Sequence, residues 1–467
     1  MNRLALPAIA TLALIPMGVL AQDFDPDLVE RGRYVAVAAD CAACHTNHEE
    51  GLEWAGGYVL DTPMGQMIST NITPSVEFGI GGWTEAQFER AVRHGVAPGL
   101  HMIYPGMPYA DYARISDEDI SALYAFIMSE IEPIDQAPAL QTSLAFPFNI
   151  RYVMAGWNLL FGHNQPFDAA TTQPGGADRG EYLVTALAHC NTCHSPRNIL
   201  MAEGGPFLSG GNVGGWDVPN ITSDPISGIG GWSDEEIVQY LRQGNAHGKA
   251  QAAGPMAEAV SYSLQYLNDD DLQAIAAFLR TVPPVRTEGQ DVPSFAFRDP
   301  DTLALMNPDG TVGAVPAVTP NPEGEQLFLS SCANCHGADA RGTDDFYYPS
   351  LVNNAATSGT SAANLVMVIS SGLQRETEED YFFMPAYAGQ WTSQQIADVA
   401  NYVLQSYGNP ELVVDAAYVE LLQAGGEPPL LMRAMPYLLA LGGIGAVAVL
   451  LLIIYLIRNR RRRARFG

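Results

Sequence analysis

Three segments share one pattern, a polar cap followed by apolar residues three and four positions apart. Ser116-Asp117-Glu118-Asp119 precedes Ile120, Leu123, Tyr124 and Ile127, and Asn268-Asp269-Asp270-Asp271 precedes Leu272, Ile275 and Leu279. Thr392-Ser393-Gln394-Gln395 precedes Ile396, Val399, Val403 and Leu404. A capping side chain satisfies open backbone N–H groups, and the spacing gives one apolar helix face. Upstream lie Gly32-Arg33-Tyr34, Gly180-Glu181-Tyr182 and Gly324-Glu325-Gln326-Leu327-Phe328. A helix at each end of a small unit, crossing at a glycine and an aromatic, predicts an all-α fold built three times.

Two longer apolar runs flank these units. Leu4 to Leu20 is mostly apolar, follows Arg3 and ends at Val19-Leu20-Ala21 before polar Gln22-Asp23. This reads as a secretory signal peptide over 1–21, in preference to a first membrane helix. Ala434 to Ile457 holds 24 residues without a charge. That length spans a hydrocarbon core and is too long and too uniformly apolar for a buried core helix. Arg458, Arg460, Arg461, Arg462, Arg463 and Arg465 follow and predict a cytoplasmic tail over 458–467. The layout expected is a first unit over 22–133, a linker over 134–178, a second unit over 179–282 and a linker over 283–322. A third unit over 323–410, a membrane-proximal segment over 411–433 and a transmembrane helix over 434–457 complete it.

The chemistry lies in Cys41-Ala-Ala-Cys44-His45, Cys190-Asn-Thr-Cys193-His194 and Cys332-Ala-Asn-Cys335-His336, which use all six cysteines of the chain. Cys-x-x-Cys-His is the attachment signature of c-type haem. Two thiols one turn apart form thioethers with the porphyrin, and the adjacent histidine faces the iron. A redox dithiol needs no trailing histidine, and a zinc site needs four ligands close together. Simple disulfides would leave the three histidines unexplained. Three covalently bound c-type haems are expected, on three tandem cytochrome c domains.

The first two units repeat at a fixed offset. Cys41 and Cys190, Asn71 and Asn220, and Trp83 and Trp232 are each 149 residues apart. This register, kept over some sixty residues without a gap, implies duplicated domains with the same loop geometry.

Electron-transfer haems take a methionine or a second histidine as the other axial ligand. In the third unit His336 is the only histidine, Met367 falls in a helical run, and Met384 precedes Pro385 in an extended segment. Met107 precedes Pro108 in the same way, and the 149-residue offset leads from Met107 to Met256. His45 to Met107 and His194 to Met256 are both 62 residues, whereas His336 to Met384 is 48. Met107, Met256 and Met384 are the expected ligands, giving coordinatively closed irons suited to electron transfer. Met64, Met67, Met102 and Met201 are set aside, as are His48, His94, His101 and His247. Trp83, Trp232, Asn71 and Asn220 read equally as donors to haem propionates or as packing and turn residues. Arg197 is a further propionate candidate.

Charge narrows the partners. Setting aside Arg3 and the six tail arginines leaves sixteen cationic residues against 51 acidic ones, and Lys249 is the only lysine. Such a body repels nucleic acid and anionic lipid. It suits a basic partner such as a soluble cytochrome, or simply solubility in a salty medium.

These motifs together resemble the three-haem cytochrome c subunit of bacterial membrane-bound dehydrogenases acting on alcohols, gluconate, sorbitol or aldehydes. The resemblance rests on the Cys-x-x-Cys-His motifs, Ser69-Thr70-Asn71-Ile72-Thr73, Gly79-Ile80-Gly81-Gly82-Trp83 and Tyr104-Pro105-Gly106-Met107-Pro108-Tyr109. Phe146-Pro147-Phe148-Asn149-Ile150-Arg151 with Trp157, and Ser195-Pro196-Arg197, add to it. It implies an electron-transfer subunit in the bacterial inner membrane with its haem domains in the periplasm. The partner would be a catalytic dehydrogenase holding flavin, pyrroloquinoline quinone or molybdenum, and the acceptor ubiquinone or a cytochrome or terminal oxidase. The C-terminal span is stronger than in some members of that family. No Gly-x-Gly-x-x-Gly fingerprint or catalytic constellation is present, so substrate oxidation is expected on the partner. The competing expectations are a tethered shuttle feeding an oxidase without a dehydrogenase, and a haem enzyme such as a peroxidase.

Overall fold

In a computed structural model, residues 24–48, 51–162, 164–168, 175–297 and 321–466 are described. The expected signal peptide lies outside these residues, as does most of the linker over 283–322. The three capped helices form as the pattern predicts, over Asp117–Glu130, Asp269–Thr281 and Ser393–Tyr407. Ser116, Asn268 and Thr392 each accept from the backbone N–H three residues on.

Each capped helix crosses an earlier one at the expected glycine. The partners are Pro26–Ala38, Gly176–Tyr182 and Pro322–Leu327. A Cβ at Gly32 would lie 1.9 Å from Ala122 O, one at Gly180 1.9 Å from Ala274 O, and one at Gly324 2.2 Å from Asp398 O. Only a hydrogen side chain allows backbones to approach so closely. The last two of these helices continue as a π-type turn, Leu183–Leu187 and Phe328–Cys332, leading towards the cysteine motifs.

Among the described residues the apolar faces build two large cores, beside a small third cluster of Met102, Tyr104 and Met154. One runs without a break from Val35 and Ile127 to Leu183, Leu272 and Val282, so the first two segments share their interior. The other gathers Phe328, Val366, Ile396 and Val403.

The all-α expectation needs correction in the loops, because the helix-rich fold also carries short antiparallel hairpins. Val59–Thr62 pairs with Gly65–Ile68, Gly211–Val213 with Trp216–Val218, and Leu373–Glu376 with Tyr381–Met384. Strands this short carry no readable alternation. One signal was present: Gly214 and Gly215 take φ of 57° and 87°, as a two-residue hairpin turn requires. The described part of the segment over 134–178 is also structured. Ser143–Leu144 adds a third strand to the first hairpin, and Val153–Phe161 is a helix. From that helix Asn158 donates to His94 O at 2.9 Å and Trp157 to Leu200 O at 3.0 Å, tying it to both segments.

The C-terminal helix runs Leu430–Phe466 with Pro436 inside it, starting earlier than the apolar run alone implied. Its stretch Leu430–Asn459 is long and apolar enough to cross a membrane, and none of its most apolar window is buried within the chain.

Candidate functional site

The three motifs fold into the same local device. His45, His194 and His336 each end a short helix, Cys41–His45, Asn191–His194 and Ala333–His336, with the first cysteine of the motif at or just before its start. Their Nδ1 atoms lie 2.7, 2.8 and 2.9 Å from the carbonyls of Thr70, Pro219 and Pro349. A carbonyl only accepts, so Nδ1 carries the proton and Nε2 keeps a free lone pair. Desolvation by burial lowers the pKa of all three rings and favours that neutral form.

Each motif histidine also accepts, through its carbonyl, from a glycine N–H: Gly56, Gly210 and Gly342, at 2.8, 2.7 and 2.8 Å. Two residues before each glycine, Trp54, Leu208 and Ala340 take φ of 63°, 56° and 58°. These equivalences correct the gap-free register. Trp54 and Leu208 are 154 residues apart, although the flanking motifs keep 149. Five extra residues in the second loop are offset by a shorter hairpin, so the ends stay in step while the loops differ.

All six cysteines are unpaired. Cys44 is accessible, but to the cavity it lines, so burial still pushes its thiol up to about 12. Burial acts likewise on Cys41 and Cys190, to about 12, and on Cys332, to about 11. After burial, Asp40, Glu258 and last Cys193 further suppress the acidity of Cys44, so thiols of the first two motifs lie near each other.

One cavity of about 1770 Å³ joins the three motifs. Its lining includes all three histidines and all six cysteines of the motifs; Met107, Met256 and Met384 line it too. It far exceeds a pocket for one small molecule. The three methionines reach it differently. Met107 ends a turn before the helix Tyr109–Tyr112, Met256 sits in the first turn of Pro255–Tyr262, and Met384 ends the strand Tyr381–Met384. Met367, by contrast, is buried in the third segment's core. Met64, Met67 and Met201 also line the cavity, so lining alone does not select a ligand.

The residues open to two readings divide. Asn71 accepts from Thr73 N and Oγ1 and donates to Ile134 O and Gln136 O. Asn220 repeats this with Thr222 and Val285 O. Both amides are therefore turn and bridging groups. Arg197 donates to the Thr192 carbonyl of its own motif. Trp83 and Trp232 line the cavity.

Sequence reading missed a polar cluster beside the second motif, in which Asn191 and Asp111 are buried and Glu203 lies at the exposed edge. Asn191 Nδ2 donates to Asp111 Oδ1 at 2.8 Å and to Glu203 Oε1 at 2.6 Å. Thr192 donates to Asp111 Oδ2. Burial, reinforced by the Asp111 charge, pushes Glu203 up to about 7. Nearby, His189 sits edge-on to Tyr112 with ring centroids 5.4 Å apart. Its position 149 residues after Asp40, which also precedes a motif at positive φ, was the available signal.

With this geometry in place, known proteins supply a comparison. The cytochrome c family profile matches residues 177–283 and 322–406, and that of subunit III of cbb3-type cytochrome c oxidase matches 27–127. The fructose dehydrogenase cytochrome subunit of Gluconobacter japonicus is 43% identical over 93% of this chain and 92% of its own length. The cytochrome c subunit of the quinone alcohol dehydrogenase of Gluconacetobacter polyoxogenes is 37% identical over 90% of this chain and 89% of its own length. The gluconate 2-dehydrogenase cytochrome c subunit of Pantoea cypripedii is 34% identical over 85% and 90% respectively.

Proposed function

The chain belongs to the cytochrome c subunits of membrane-bound, quinone-linked dehydrogenases and serves electron transfer, and from that footing we propose that it carries three haems as a relay. The observation that carries the reading is the threefold repetition of a histidine whose Nδ1 donates to a carbonyl, with all three opening on one cavity.

The residues present fit c-type haem. Cys41 and Cys44, Cys190 and Cys193, and Cys332 and Cys335 would hold the three groups through thioethers. His45, His194 and His336 would coordinate through Nε2. Met107, Met256 and Met384 would fill the opposite positions. Haem so held supplies a one-electron couple. The chain's own work is to fix the imidazole orientation through Thr70, Pro219 and Pro349, to exclude water with the two apolar cores, and to hold the motifs side by side.

Electrons would come from a catalytic dehydrogenase subunit oxidising a sugar, alcohol or aldehyde. The cavity lining reaches Glu427, Pro429 and Leu430, at the foot of the apolar helix. That continuity supports a membrane-soluble quinone as acceptor, an anchor over 434–457, and haem domains on the periplasmic side.

Co-purification in mild detergent tests this. A flavin, quinone or molybdenum dehydrogenase should accompany the chain, and its substrate should reduce the chain's haem absorbance. Substrate oxidation by the isolated chain, or rapid carbon monoxide binding at all three reduced haems, would contradict the reading.

A further inference from the structure

Arg375 lies in the strand Leu373–Glu376 and is fully buried. Nη1 donates to Ala252 O at 2.7 Å, Nη2 donates to Gln251 Oε1 at 2.9 Å, and the guanidinium lies 4.3 Å from the Phe382 ring centroid. Among the described residues its Nε has no hydrogen-bond partner. Among the described residues no carboxylate lies within ion-pair distance. Burying a cation among neutral groups is strongly unfavourable. A chain with 51 acidic residues has nonetheless left this one unmatched. Desolvation by burial pulls its pKa down to about 10, which still leaves it charged at neutral pH.

The seat is built for it. Gly244 has φ of 73°, and a Cβ there would lie 2.5 Å from Arg375 Cδ. In the first segment the equivalent Gly95 faces the Tyr109 ring at 2.7 Å, and the Tyr109 hydroxyl donates to Asn158 at 2.6 Å. The equivalence is structural: Ile103 N donates to Gly95 O as Ala252 N donates to Gly244 O. Counting 149 residues from Tyr109 leads to Glu258, which instead accepts from Tyr58. The second segment thus lacks that tyrosine, and an arginine from the third segment takes its place. Tyr240, Gln251 and Phe382 around Arg375 line the cavity, as does Met256. The strand bearing Arg375 pairs with the strand that ends in Met384.

We propose that Arg375, delivered from the third segment, is a fixed positive charge that raises the reduction potential of the haem held by the second motif and Met256. This rests on the reading that Cys190, Cys193 and His194 carry a haem. An oxidised haem bears one more positive charge than a reduced one, so a nearby cation disfavours the oxidised form. In a low-dielectric interior that effect is strong. The guanidinium acts through the field and is a potential-setting residue, not a catalytic one.

The test is a redox titration of the full-length chain followed by haem absorbance. Arg375→Gln removes the charge. Gln251→Glu keeps the guanidinium and sets a carboxylate against it. Arg375→Lys keeps a charge. The Gln and Glu variants should each lower one midpoint by about tenfold in the one-electron equilibrium, about 59 mV, while Lys stays close to the parent. Should Arg375→Gln fail to fold, Gln251→Glu decides the matter. Unchanged midpoints in folded variants with full haem content overturn the proposal. If the parent Cys190–Cys193 peptide carries no haem by mass spectrometry, the underlying reading fails, and this one with it.

Discussion

Tyr34 donates a 2.6 Å hydrogen bond to Asp271, and Tyr182 donates one of the same length to Asp119. Each tyrosine reaches from the glycine-bearing helix of one segment to the capped helix of the other. Within its own segment Asp119 pairs with Arg31 at 2.6 Å, and Asp271 with Arg179 at 2.7 Å. The duplicated segments are therefore joined as a pseudo-twofold pair, with the same contact made in both directions. Asp119 and Asp271 are almost wholly buried, which makes the hydroxyl partners costly to lose.

Tyr34→Phe and Tyr182→Phe should each destabilise the chain by about 1.5–3 kcal/mol, the range for a hydrogen bond to a charged group. Chemical denaturation of each variant measures this. Because the contacts are reciprocal, the two losses should be similar. A near-zero loss in both would show that the junction does not depend on them.

Gly32→Ala and Gly180→Ala place a Cβ against backbone carbonyls that no rotamer change can move aside. Each should cost about 1–3 kcal/mol or more, as overpacking does, and reduce holoprotein yield. Gly99→Ala is the control, because nothing lies within 4 Å of a Cβ there, although its φ of 75° brings a small strain of its own. Equal stability of Gly32→Ala and the parent would refute the close-crossing account.

Glu203 gives the stability a pH dependence of definite sign. Its pKa rises on folding from 4.5 to about 7, first through burial and then through Asp111. Between those values the unfolded chain has ionised the group while the folded chain retains its proton. The stabilising contribution is thus present in full below pH 4.5 and is lost as the pH climbs through 7. Melting temperatures should fall over this window, and Glu203→Gln should flatten the fall. A slope that survives intact in the variant would assign it elsewhere.

The capped helices, the glycine crossings and the cysteine motifs were legible in the sequence because each is set by residues a few positions apart. The methionine expectation drew on the repeat, and Met107, Met256 and Met384 do line the cavity with the motifs. The compensating loop shift escaped because the flanking motifs stay in register while Trp54 and Leu208 do not. The hairpins escaped because three- and four-residue strands show no period. Arg375 carried no local signal at all. Its importance comes from Gly244 and Ala252, more than a hundred residues away, and from a tyrosine that the second segment lacks.

The central claim is that each Cys-x-x-Cys-His motif holds one electron-carrying haem. Coulometric reduction of the purified full-length chain tests it most directly. Three motifs predict three electrons per polypeptide, and two after Cys332 and Cys335 are both replaced by alanine. Fewer than three electrons in the fully matured parent chain, or an unchanged number in that variant, would contradict it.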